Sequence, residues 1–233
     1  MSKPKVTAIV LAGGKGSRMH SETPKQYLPL LGKPVLFYSL SAFEQSAVDE
    51  IILVTAAGEE DYCKKEIVDK YGIKKVTAVV AGGKERYHSV HRGLLKAQGA
   101  EYVLIHDGAR PLISVSVINA SINKVKETGA CVVGVPVKDT IQLADESGKI
   151  TDTPVRKLTW SAQTPQCFLY DTAVSSYNKA IASGDTSITD DAMVVRKYAG
   201  ADVFLMEGEY ENIKITTPED IMIAEEFLKK QGV

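Results

Sequence analysis

A chain of 233 residues that is 44% hydrophobic and 24% charged can bury one substantial core without disulfides or a structural metal, so one globular domain over 1–233 is expected. Its 28 basic residues against 29 acidic ones leave a formal net charge of -1, which excludes an overall field built for nucleic acid or a membrane surface. Any anion site must therefore be local. The first apolar run, 6–11, is too short for a signal segment or a spanning helix, so a cytoplasmic protein without membrane contact is expected. Cys63, Cys131 and Cys167 are odd in number and form no C-x-x-C pair; they read as reduced packing thiols.

Strand-length apolar runs at 6–11, 51–55, 76–81, 102–106 and 130–137 alternate with segments of helical period at 35–45, 59–71, 89–98 and 115–127. Continuous Val, Ile and Ala runs suit strands buried on both faces, and the intervening segments are long enough for right-handed crossovers. The fold class is α/β with a mostly parallel sheet and flanking helices. The rhythm breaks after Val137: residues 138–163 form two polar, Thr-rich stretches around a turn at 145–148, which reads as a protruding β-hairpin arm. A lone hairpin is marginal in water, so this arm should lean on its own sheet or on a second subunit. Helical period resumes at 171–183 and 190–199, with Thr189 placed as a cap. A strand at 202–207 follows, and Pro218 opens a last helix capped by Thr217.

The strongest local signal is L-A-G-G-K-G-S-R-M at 11–19, directly after the first strand. Gly13, Gly14 and Gly16 let the backbone approach a ligand and turn N–H groups inward as an anion nest, with Arg18 and Lys25 adding positive charge. A triphosphate needs such preorganised donors for the charge that builds on its leaving group. An ordinary βα turn is the competing reading, and the two cations weigh against it. The P-loop and dinucleotide patterns both fail on spacing, since Met19 stands where the third glycine of G-x-G-x-x-G would be.

H-D-G-A-R-P at 106–111 ends the strand 102–106, where ligands collect in open α/β sheets. Asp107 would face the ligand and is a candidate contact to a divalent metal, Arg110 suits a phosphate, and His106 reads as structural. The alternative for Asp107 is a cap on the helix near Ser114. A-G-G-K-E-R-Y-H-S at 81–89 again joins a strand end to a helix: Gly82 and Gly83 can present backbone to a base edge, and Arg86 could equally make an ion pair. Arg156 with 163–166, then 187–191 and 212–220, each mix a hydroxyl with a charge and are weak signals alone.

Taken in order, LAGGKGSRM, PKQYL, GGKERYHS, HDGARP, PVKDT, T-P-Q-x-F, ITDDA and NIKIT resemble the 2-C-methyl-D-erythritol 4-phosphate cytidylyltransferase family of isoprenoid precursor synthesis, over residues 6 to 228. The resemblance implies a Rossmann-like nucleotidyltransferase domain that joins CTP to a small sugar-alcohol phosphate by the non-mevalonate route, with Mg²⁺ carried mainly on the nucleotide phosphates. It assigns Ala12, Gly13, Gly14, Gly16, Arg18 and Lys25 to the CTP phosphates and transition state, and Gly83, Lys84 and Ser89 to cytosine and ribose. It assigns Asp107, Arg110, Arg156, Thr164, Thr189 and Lys214 to the acceptor, with Lys214 also near the α-phosphate. Thr140 would reach the site of a partner subunit from the arm, which implies a homodimer. Two rivals stand beside this reading: a ribitol 5-phosphate cytidylyltransferase, whose members tend to carry H-D-S-V-R-P, and a non-catalytic nucleotide-binding regulatory domain.

Overall fold

The computed structural model describes residues 3–14, 16–19 and 21–232. Its elements run β1 (Val6–Ala12), β2 (Pro29–Leu30), β3 (Lys33–Pro34), α1 (Val35–Gln45), β4 (Glu50–Thr55) and α2 (Glu60–Tyr62), which continues as π turns over Cys63–Asp69. Then come β5 (Val76–Ala81), α3 (Arg86–Lys96), β6 (Tyr102–Asp107), α4 (Val115–Thr128), β7 (Ala130–Pro136), β8 (Leu143–Ala144) and β9 (Ile150–Asp152). The chain closes with β10 (Trp160–Leu169), α5 (Tyr170–Ser183), α6 (Asp191–Ala199), β11 (Phe204–Glu207) and α7 (Pro218–Lys230).

Seven strands form one sheet in the order β11-β7-β10-β6-β1-β4-β5. All are parallel except β10, which runs antiparallel to both β6 and β7. Alternation along each strand sends side chains to two cores. Ala8, Val10, Leu53 and Leu104 pack with α1, the π turns after α2, and α4, while Ile9, Val54, Val103 and Ile105 pack with α3, α5 and α6. A third cluster seats α7 on Leu30, Val35 and Tyr38. All three cysteines are buried free thiols in the packing, as expected. None of the described helices is long and apolar enough to cross a membrane.

Three boundaries differ from the sequence reading. The arm ends earlier than 163, because Trp160–Leu169 is a sheet strand; Pro165 sits where its register against β7 shifts between Ala162 and Gln166. A bulge is a place where a sheet tolerates a proline such as Pro165, and Ser161 and Gln163 carry the polar character of the arm on into the strand. Asp190, not Thr189, caps α6, accepting from the Met193 N–H at 2.8 Å. Ser114 caps α4 itself, accepting from Val117 N–H, which removes capping as the role of Asp107. Thr217 does precede α7, with the Asp220 carboxylate accepting from its N–H at 2.8 Å.

Candidate active site at the sheet switch point

The strand order reverses direction between β1 and β6, whose carboxyl ends therefore leave a crevice with no crossover above it. A groove of about 750 Å³ opens there. Its floor is backbone. Gly82 N–H donates to Thr55 O at 2.7 Å, so the ends of β4 and β5 are stitched together, and a Cβ on Gly82 would meet Thr55 O at 2.9 Å and the Ser89 hydroxyl at 2.7 Å. A side chain cannot enter, and the floor stays flat enough for a planar group. Ser89 Oγ accepts from Gly83 N–H at 3.0 Å and donates to Glu85 O, while Arg92 donates to Gly82 O at 2.7 Å. These bonds hold the turn before α3 in shape.

Charge gathers at the other end. The turn from Lys25 to Tyr27 is clamped to α2 by the Tyr27 hydroxyl, which donates to Glu59 at 2.6 Å and lies 2.9 Å from Cys63 Sγ. Lys25 runs along Gly16, whose φ of +62° and neighbouring lysine stem leave room only for glycine, and its Nζ donates to Ile215 O at 2.8 Å. Burial, then the nearby Lys214 ammonium, pushes the Lys25 amine down to about 8 from its ordinary 10.5. Lys214 donates to Asp107 Oδ2 at 2.8 Å, and Arg86 Nε donates to Oδ1 at 3.1 Å. These cations, opposing the effect of burial, hold the Asp107 carboxyl far below the usual carboxylate range. Arg86 spends its two terminal nitrogens on buried Asp191, at 2.7 and 2.8 Å.

His106 lies beneath this cluster. Its Nδ1 is 3.0 Å from the Thr164 hydroxyl and its Nε2 is 3.4 Å from Arg110 O; burial pushes it down to about 3, so it is neutral and structural.

The groove brings together ten of the residues picked from the sequence as ligand contacts, Ala12, Gly13, Gly14, Lys25, Gly82, Gly83, Lys84, Ser89, Asp107 and Lys214, and also Arg86, read as an ion-pair former. It does not bring in the rest. Arg18 is exposed, and Lys15 of the same loop lies outside the described residues. Arg110 turns its guanidinium onto Asn212 O at 2.7 Å, and Thr164 accepts from Asp107 N–H behind the groove. Thr140, Arg156 and Thr189 are exposed and outside its lining. Gly108 is also outside it: a Cβ there would meet Leu11 O at 3.0 Å and Leu36 at 2.8 Å, so packing on β1 makes it small, and of the Gly108–Ala109 pair only Ala109 lines the groove.

Sequence reasoning missed Gln26, Thr55, Ala56 and Arg92 of the lining. Thr55 and Ala56 could have been found by the rule that ligands gather at carboxyl strand ends; Arg92 follows Ser89 by one helical turn, on the same face. As a resident metal site the groove does not fit. No cluster of three metal-ligating side chains exists among the described residues, and both oxygens of Asp107 already hold cations.

Residues 6–230 match the family described as 2-C-methyl-D-erythritol 4-phosphate cytidylyltransferase. Proteins of that name from Lachnoclostridium phytofermentans and Lachnospira eligens are 50% identical over 226 residues and 51% identical over 225. Those alignments cover 97% and 96% of this chain and 97% and 99% of the relatives. The crystal structure of 4-diphosphocytidyl-2C-methyl-D-erythritol synthase from Anaerococcus prevotii superposes with a TM-score of 0.85 at 34% identity, covering 97% of this chain and 96% of that one. The cytidylyltransferase from Thermus thermophilus gives 0.76 at 29%, covering 95% and 98%.

Proposed function

This chain belongs to the 2-C-methyl-D-erythritol 4-phosphate cytidylyltransferase family, and from that membership we propose which groups of the groove carry its reaction. The enzyme is a nucleotidyltransferase that moves a cytidylyl group from CTP to 2-C-methyl-D-erythritol 4-phosphate in isoprenoid precursor synthesis. An acceptor phosphate oxygen forms a bond to the α-phosphorus of CTP, and the bond to the bridging oxygen breaks, its electron pair leaving with pyrophosphate. A phosphate monoester is already ionised near neutral pH, so no protein nucleophile or base is needed. The protein's task is to bring two anions together and offset their repulsion.

The observation that carries this assignment is the meeting of Lys25 and Lys214 with Asp107 at one end of a groove whose floor at the other end is backbone. In our reading the base rests on the floor between Gly13, Thr55 and Gly83, and the triphosphate follows the 12–16 turn. Lys25 and Lys214, joined by Arg18, meet the charge at the α-phosphorus. Asp107 faces the acceptor from within the groove, while Arg110, Thr164 and Thr189, which lie outside its lining, are assigned to the acceptor by the family resemblance alone. Thr140 and Arg156 reach it from the arm of a second copy, in a homodimer. Mg²⁺ accompanies CTP on the triphosphate oxygens, the usual way this ion binds at nucleotide sites.

The test is pyrophosphate release from CTP, UTP, ATP and GTP, each with 2-C-methyl-D-erythritol 4-phosphate and with ribitol 5-phosphate. CTP with the erythritol phosphate is expected to lead, by at least about tenfold in kcat/KM over the ribitol phosphate, since one apolar contact such as the branching methyl on Ala109 is worth about 1–3 kcal/mol. Comparable or reversed efficiencies for the two acceptors would overturn the acceptor assignment.

A further inference from the structure

The charge cluster at the head of the groove extends past the residues that can reach a ligand. Asp191, at the first turn of α6, is fully buried, receives both terminal nitrogens of Arg86, and accepts a hydrogen bond from the Tyr177 hydroxyl of α5. Arg86 opens α3 and lines the groove, yet its fork faces away from it. One nitrogen, Nε, remains for Asp107 Oδ1, and Lys214 takes Oδ2. A guanidinium next to a triphosphate site ordinarily binds phosphate through its fork, and here a buried carboxylate keeps the fork occupied.

We propose that Asp191 is a positioning residue for cytidylyl transfer: by holding the Arg86 fork it leaves Asp107 a single Arg86 contact, so that Lys214 stays seated on the second carboxylate oxygen and aimed into the groove. The proposal rests on the reading of the groove given above. Without the Asp191 charge, Arg86 is free to turn its fork onto both oxygens of Asp107, a geometry arginine and carboxylate favour, and Lys214 loses its seat. The groups facing Asp107 are Arg86 from α3, Lys214 from the segment after β11, Lys25 from its turn, and Arg110 and neutral His106 from its own strand end. Six charged groups are then in play, four cations against the two carboxylates, and the placement of the lysines depends on how Arg86 divides itself.

The test is Asp191→Asn, with Asp191→Glu as the conservative partner and Arg86→Lys as a second route, since lysine keeps the charge but cannot bridge two carboxylates. For each folded variant, steady-state kinetics are measured against CTP and against the acceptor across pH. Asp191→Asn is expected to lower kcat/KM for the acceptor about tenfold to a hundredfold, with the KM for CTP within about twofold of the wild type. Asp191→Glu should recover a large part of the loss. Should Asp191→Asn fail to fold, Arg86→Lys carries the same expectation, with the acid limb of its profile moved to higher pH because Asp107 has lost a close cation. A merely structural role would lower the yield of folded enzyme and leave the KM split and the pH limb where they were. Wild-type kinetics in Asp191→Asn, or in Arg86→Lys where that variant alone folds, would overturn the proposal while leaving the groove's reading intact. A wild-type protein that releases no pyrophosphate from CTP and the acceptor would remove the reading, and this proposal with it.

Discussion

The proposed chemistry bears most directly on one side chain, Lys25. It is half-buried, its amine donates to the Ile215 carbonyl, and its stem rests on Gly16. Replacement by alanine removes a hydrogen bond from the fold, worth about 1 kcal/mol, but on the proposed reading it also removes a preorganised charge from the place where pyrophosphate leaves. Turnover of Lys25→Ala is expected to fall by about a hundredfold or more while the melting temperature moves by only a few degrees. Near-normal turnover would take Lys25 out of the site. The lowered affinity of this amine for its proton has two further consequences of definite sign. Between pH 8 and 10.5 the unfolded chain binds a proton that the folded chain has released, so this group's contribution to stability rises with pH across that window and is flat below it. A bound triphosphate favours the charged amine. The basic limb of kcat/KM for CTP, which reports the free enzyme, should therefore fall near pH 8, while that of kcat lies higher. Coincident basic limbs in the two profiles would contradict this.

At the scale of elements the arm is the exception to the packing rules the other segments obey. Strands β8 and β9 pair only with each other, Leu143 opposite Asp152 and Ala144 opposite Ile150, around a turn in which Asp145 Oδ1 accepts from the Ser147 and Lys149 N–H groups. The turn is well made, yet the hairpin has no core: Ile150 is 59% exposed and Leu158 at its foot is 74% exposed. Apolar groups gathered on a protrusion mark an interaction surface, and a second copy of the chain is the proposed cover. Deleting 143–151 is expected to give a monomer by light scattering, inactive and less thermally stable, because Thr140 and Arg156 would no longer be carried to a neighbouring groove. A deletion variant that stayed dimeric would count against the arm as the interface. The arm's near side was legible as two polar stretches around a turn. Its far boundary was not, because β10 carries the polar sequence 163–166 into the middle of the sheet, where Gln163, Thr164 and Gln166 are buried. Side-chain hydrogen bonds make them tolerable there: Gln163 Nε2 donates to Glu209 O and its Oε1 accepts from Asn212, the Thr164 hydroxyl accepts from Asp107 N–H, and Gln166 Oε1 accepts from Ala192 N–H.

In the molecule as a whole, what the sequence determined by itself was what is local and periodic. Runs of Val and Ile placed the parallel strands, the intervening periods placed the helices, and Gly13, Gly14 and Lys25 marked the end of the first strand as one end of the groove. These follow from backbone sterics and the burial of apolar faces within a few residues, so they are written where they act. What only the tertiary structure decided is which distant charges share a site. Asp191 and Arg86 are 105 residues apart and Lys214 and Asp107 are 107 apart; the first pair meets because α3 and α6 both pack against α5 on one face of the sheet, the second because the segment after β11 returns to the end of β6, where Ile215 N–H donates to Ala109 O. The same closure turned Arg110 and Thr164 inward, left Gly108 small for packing on Leu11, and spent the Arg86 fork on a carboxylate. A charged side chain has no sequence signature for its partner, since Coulomb and hydrogen-bond energies depend on through-space distance and burial, quantities fixed only when the chain has closed.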